Sequence, residues 1–207
     1  MTANQLKVGS LFLVLLVTLV VITGCGSNTT DLSAKVMSVT GKAEIRPTAI
    51  ASFADAKVND ILPCGGILKT GEESLVNLEI TGKGVVDIKS DSMFELESGK
   101  DYVVQSAGMA VYKIDKNKEG FKVKSPQGVT CVLGTRFMVR VFDNTTVVGV
   151  EEGKVSFTSN KGETRILEAK QKITADNNGF SSEPTAFDMK TDSFNYIKLD
   201  GKWVPKQ

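Results

Sequence analysis

The stretch that most constrains this chain runs from Phe121 to Phe157, FKVKSPQGVTCVLGTRFMVRVFDNTTVVGVEEGKVSF. Phe121 and Val123 alternate with lysines, and Ser125-Pro126-Gln127-Gly128 breaks the run, because proline fixes φ and glycine admits positive φ. Val129, Cys131 and Leu133 then alternate up to Gly134. Phe137, Val139 and Val141 fall on one face of the next run, and Met138, Arg140 and Phe142 on the other. Asp143-Asn144 reads as a turn, Val148 and Val150 resume, Glu152-Gly153 turns again, and Val155 and Phe157 close the set. Period-two alternation punctuated by Gly, Pro and Asn predicts three or four short antiparallel strands, since a pleated strand sends successive side chains to opposite faces.

The same signal extends in both directions. Val36 to Ile45 reads as a first pair of strands stopped by Pro47, and 49–58 as a loop or a single helical turn. Val76, Leu78 and Ile80 give a one-sided apolar strand, Thr81-Gly82-Lys83-Gly84 a hairpin turn, and Val85–Ile88 its return. Phe94 and Leu96 make another strand, with Gly99-Lys100-Asp101 as the turn into Tyr102–Gln105. Ala107-Gly108 reads as a reversal leading into Met109–Ile114, and Asp115–Gly120 as a solvated loop. Thr164–Ala169 alternates once more, Asp176-Asn177-Asn178-Gly179 is a turn without the spacing of a calcium loop, and 188–199 admits a short helix. The tail aromatics Phe187, Phe194, Tyr196 and Trp203 read as groups that pack the tail onto the body. Many short strands with frequent turns predict an all-β fold, an antiparallel β-sandwich or jelly-roll-like domain, with a β-solenoid as the alternative.

Residues 1–24 read as an export leader. Lys7 and the amino terminus supply a thin positive region, and Val8–Ile22 is a nearly unbroken apolar run, short for a membrane span. The run ends in Ile22-Thr23-Gly24-Cys25, which resembles a bacterial lipobox. The resemblance implies cleavage after Gly24 and lipidation of Cys25, with palmitate-type chains, through its sulfur and its new amino terminus, because the thiol is the nucleophile for the lipid thioether. Two or more chains anchor a protein stably where one is marginal. Residues 25–31 then form a short polar tether, 32–175 the β domain and 176–207 a C-terminal tail. No acidic residue directly follows Cys25, which in a two-membrane cell envelope resembles a lipoprotein sent through the periplasm to the outer membrane.

Little catalytic chemistry is on offer. The chain has no histidine, which removes the usual base near neutral pH, the Ser-His-Asp and Cys-His arrangements and most transition-metal sites. No phosphate-binding or nucleophile-elbow motif is present, and no cofactor is implied. The pairs Glu72-Glu73, Glu151-Glu152 and Glu95/Glu97 read as solvated turn and strand charge, not as glycosidase acids. The chain has 25 basic and 24 acidic residues, and loss of the leader with Lys7 leaves 24 of each. A neutral body without a basic stripe argues against nucleic acid as a partner. With Cys25 lipidated, Cys64 and Cys131 remain as an even pair. They form either one disulfide, stabilising by about 4 kcal/mol through loop closure, or two small thiols within the core.

Three segments together resemble the FecR-type extracytoplasmic β domain: Ser125-Pro126, Leu133-Gly134-Thr135-Arg136-Phe137-Met138-Val139 and Val150-Glu151-Glu152-Gly153-Lys154-Val155. Val39–Ile45 is similar to its opening strand, and Ile67, Thr70-Gly71 and Ser74 follow its second motif, with Gly66 where the family usually carries Asp. Ala169-Lys170-Gln171 stands where the family shows Ala-Gly-Gln. The resemblance implies a non-catalytic sensor or interaction module. The expectation is a lipid-anchored envelope protein that binds another envelope component. One alternative is an accessory of an extracytoplasmic signalling system acting through a partner protein, without an anti-sigma segment of its own. A third reading, an envelope hydrolase, lacks supporting residues.

Overall fold

The computed structural model describes residues 32–98, 102–116, 120–194, 196–199 and 202–205. The leader, Cys25 and the tether lie outside these residues, as do the Gly99–Asp101 turn and the centre of the 115–120 loop.

The body is all β. Its first half comprises β1 (Ala34–Thr40), β2 (Ala43–Arg46), β3 (Ala54–Asp55), β4 (Ile61–Leu62), β5 (Ile67–Thr70), β6 (Leu75–Ile80), β7 (Gly84–Ile88) and β8 (Met93–Leu96). A long strand, β9 (Tyr102–Ile114), follows. The second half comprises β10 (Phe121–Ser125), β11 (Gly128–Val132), β12 (Arg136–Phe142), β13 (Thr145–Glu152), β14 (Val155–Ser159), β15 (Thr164–Leu167), β16 (Gln171–Asp176), β17 (Gly179–Phe180) and β18 (Thr185–Ala186). A short helix, α1 (Met189–Phe194), and a separate hairpin, β19 (Tyr196–Leu199) with β20 (Lys202–Pro205), complete the described chain.

Two sheets face each other. One runs β4-β1-β6-β7-β9-β12-β13-β16, with β17 and β18 both along the outer side of β16. The other runs β3-β2-β5-β8-β9-β10-β11-β14-β15. The chain lays down hairpins alternately in the two layers. Pairing is antiparallel throughout except between β9 and β10. The solenoid alternative, which stacks successive coils in parallel, is therefore not the architecture adopted.

β9 belongs to both sheets. Val103–Ala107 pair with β8, whereas Gly108–Lys113 pair with β12. Ala107-Gly108, expected as a reversal between two strands, is instead a corner within one strand. Gly108 has φ +78°, and a Cβ there would lie 2.1 Å from Ser92 Oγ and 2.5 Å from Ser92 Cα. Side chains lock the corner. Gln105 Nε2 donates to Gly108 O (3.1 Å) and Val139 O (3.0 Å), while Tyr112 Oη donates to Gln105 Oε1 (2.8 Å). Ser92 Oγ donates to Met109 O (3.2 Å) and accepts from Met109 N (3.0 Å). Burial pushes the Tyr112 phenol well above its ordinary pKa, so it stays a neutral donor.

The main core fills the space between the sheets. Tyr112 stacks on Phe137 (4.9 Å between ring centres) and meets Phe121 of the opposite layer (6.2 Å). Phe137, Val139 and Val141 face this core, as their alternation requires. A second, smaller core lies on the outer side of the first sheet, where Met109, Val111, Met138 and Val147 are covered by Phe187 and Met189. Gly149 admits the Phe187 ring, because a Cβ there would come within 2.5 Å of it. Lys172 Nζ bonds to Asp192 Oδ1 (2.6 Å), pinning α1 to β16. The chain beyond residue 175 thus continues the body through β17, β18 and α1.

Candidate functional site

The motif side chains serve turns and corners. Thr70 Oγ1 donates to Lys89 O (2.5 Å) and accepts from Ser92 N (2.9 Å). Ser74 Oγ accepts from Lys42 N (2.8 Å) and donates to Glu72 O (2.8 Å). Together they tie the crossings β1–β2, β5–β6 and β7–β8 at one pole of the sandwich. At the same pole Ser125 Oγ donates to Gly128 O (3.0 Å), and Gln127 joins Thr146 (2.7 Å) to Asn177 (3.3 Å). At the opposite pole Thr135 Oγ1 donates to Lys154 O (3.0 Å), and Gly153 (φ +89°) passes close to Thr135. Gly66 also has a steric reason: a Cβ there would meet Leu62 Cδ1 at 2.7 Å and Pro63 O at 2.8 Å. Lys170 keeps φ +67° where a glycine is usual, an arrangement that costs a non-glycine residue roughly 1–2 kcal/mol.

Thr135, Gly134 and Lys154 also border a groove of about 670 Å³ on the outer face of the second sheet. It lies across the ends of β10, β11, β14 and β15. Leu133 and Ile166 project into solvent there, 65% and 56% exposed. Among the described residues Lys116, Lys122 and Lys154 carry the charge of its lining, and no carboxylate lines it. The walls are fixed by backbone. Thr135 and Ile114 exchange N–H···O bonds (3.2 and 3.0 Å), and a Cβ on Gly134 would lie 2.7 Å from Lys116 Cα. The alternation of β11 had placed Val129, Cys131 and Leu133 inward. The structure buries Thr130 and Val132 instead, because they pair with the inward Val123, Phe121, Phe157 and Val155 of the neighbouring strands. The groove was therefore hidden from the sequence: Leu133 looked like core, and the three lysines are spread over the chain.

Cys64 and Cys131 are not joined by a disulfide. Cys64 Sγ donates to Glu97 O (3.3 Å). Cys131 pairs with Lys122, Lys122 pairs with Tyr102, and Tyr102 O accepts from Glu97 N. Three strand spacings of about 4.8 Å separate Glu97 from Cys131, well beyond the roughly 7 Å Cα limit of a disulfide. The bridge considered from the sequence is not formed, because the fold puts Cys64 in the β4–β5 turn beside Glu97 and Cys131 on β11, three strand spacings away. Neither thiol fills the core; both are half-buried.

Glu95 lies on the outer face of β8, and Glu97 follows just past its end. Burial raises the Glu95 pKa first, repulsion from Glu97 adds to it, and Arg46 acts in the opposite direction. The folded state thus holds the Glu95 proton more tightly than the unfolded chain. Stability from this source is fully present below the usual carboxylate value of 4.5 and is lost as pH rises through the higher folded value. Glu95→Gln is expected to raise the urea midpoint at neutral pH, with the gap to wild type closing near pH 4.5 and below. An equal gap at both pH values would show that Glu95 ionisation is not its source. Glu151 pairs with Lys170, and among the described residues no cluster of three metal-ligating side chains occurs.

The geometry is thus a two-layer sandwich whose polar motif residues tie its turns, with an apolar, lysine-bordered groove on one outer face. Residues 67–156, from β5 into β14, match the family described as FecR protein. Two crystal structures of a candidate anti-sigma factor from Parabacteroides distasonis ATCC 8503, at 1.65 and 2.50 Å resolution, share the fold. Each has a TM-score of 0.55 and 17% identity, over 64% of this chain and 68% or 67% of the other. No curated protein sequence matches the chain.

Proposed function

We propose that this chain is a lipid-anchored, non-catalytic cell-envelope protein whose FecR-type domain binds a protein partner in extracytoplasmic signalling. The observation that carries the reading is the FecR match over residues 67–156. Support comes from what its motif side chains do: Thr70, Ser74, Ser125 and Thr135 are engaged by backbone groups, which leaves surface shape and charge as the means of action. The solved structures that share the fold carry the description of an anti-sigma factor. The lipobox-like Ile22–Cys25 supports the anchoring, and with it a body on the outer side of a membrane, the outer membrane in a two-membrane cell. The test is photocrosslinking in the native host from a reactive residue at Met37, Ile61, Leu133 or Ile166, all exposed. A discrete protein adduct from at least one position is expected. Intact, membrane-bound protein that yields no adduct from any of them would end the reading.

A further inference from the structure

We propose that the groove across β10, β11, β14 and β15 seats an acidic, aliphatic segment of a partner protein. The inference rests on the partner-binding reading above and names its site and ligand chemistry.

Shape comes first. At about 670 Å³ the groove falls within the roughly 300–1,000 Å³ of ordinary ligand sites. It is preformed, since its walls are held by the Thr135–Ile114 backbone pair and the Thr135–Lys154 bond. A rigid receptor spends little ordering free energy on binding. Leu133 and Ile166 are two of the few large aliphatic side chains that the body leaves exposed, and both line this one groove.

Charge selects the ligand. Lys116, Lys122 and Lys154 come from three separate segments, and among the described residues no carboxylate lines the groove with them. Without residues 1–24 the chain has 24 basic and 24 acidic residues, these lysines included, and no net charge, so the attraction is local and works within a Debye length of about 8 Å. Lys154 also bridges Glu168 at 2.8 Å, with both side chains mostly exposed. Such a pair is worth about 1 kcal/mol or less and exchanges readily for an incoming carboxylate. Nucleic acid fits poorly: Phe121, the aromatic residue of the lining, is 1% exposed and offers no face for a base. A polypeptide that alternates carboxylates with branched aliphatic side chains matches both lysines and floor.

The experiment uses the full chain in zwitterionic micelles and a fluorescent peptide alternating Glu and Val. Lys/Val and Glu/Ser peptides are comparators, and anisotropy is the readout. The Glu/Val peptide is expected to bind best. Lys122→Glu with Lys154→Glu should weaken it by about tenfold or more and improve the Lys/Val peptide. Leu133→Ser with Ile166→Ser should weaken it comparably. These are surface changes, and an unchanged thermal midpoint certifies the fold. Failure of the Glu/Val peptide to bind, binding indifferent to both variants, or groove-dependent binding to phosphatidylglycerol vesicles in its place would overturn the proposal. Crosslinks from Met37 or Ile61 with none from Leu133 or Ile166 would reject this site and leave the partner reading standing, whereas silence at all four rejects both.

Discussion

Gly108→Ala is expected to destabilise the protein by about 3–5 kcal/mol, a large part of the roughly 5–15 kcal/mol that holds a domain folded. Two costs combine. At φ +78° any L side chain is strained, which alone costs roughly 1–2 kcal/mol. The new methyl would also lie 2.5 Å from Ser92 Cα and 2.7 Å from Asp91 O, backbone atoms that cannot swing aside. Relieving that contact means moving Ser92, which bonds to both Met109 N and Met109 O. The two layers would then lose their shared hinge. Gly82→Ala is the control. It also has positive φ (+66°) but open space within 4 Å, so it should cost only the torsional part. Urea titrations of both variants decide the matter. Equal midpoints for Gly82→Ala and Gly108→Ala would mean that the corner is looser than its contacts imply.

The second large effect concerns Cys25, which lies outside the described residues. Wild-type protein is expected to have a mass that starts at Cys25 and carries acyl chains, and to sediment with membranes. Cys25→Ser should retain the leader and carry no acyl group. Each buried methylene contributes about 0.8 kcal/mol, so loss of two or more chains removes a practically irreversible anchor. The body itself should be indifferent. Its first bonds are those of Ser33, whose carbonyl accepts from Thr81 N and whose hydroxyl meets Thr81 Oγ1 at 2.9 Å. A wild-type mass that includes residues 1–24 with a bare thiol would remove the anchor from the proposed function.

Strands whose alternation is chemically clear were legible in the sequence. β6 buries Val76, Leu78 and Ile80, and β12 divides its faces between the two cores as its residues suggest. β11 was not, because Thr130 takes an inward position while the apolar Leu133 points to solvent. Alternation says that faces differ; only the neighbours β10 and β14 say which face is inside. The FecR-like motifs located the turns, yet their side chains proved to be ties within the fold, and the groove arises from Lys116, Lys122, Leu133, Lys154 and Ile166 brought together from distant segments. The 188–199 stretch yielded a helix only over Met189–Phe194, followed by a strand at Tyr196–Leu199.

The sequence by itself determined the all-β class, the hairpin turns and the absence of histidine chemistry, since pleat period, glycine torsion and side-chain inventory are local properties. Tertiary structure alone decided that Tyr102–Ile114 is one strand turning a corner, that Cys64 in the β4–β5 turn stands far from Cys131 on β11, and that Phe187 covers the outer face of a sheet. Each of these is a matter of register between segments far apart in the chain, and register is fixed by cross-strand partners that no local pattern names.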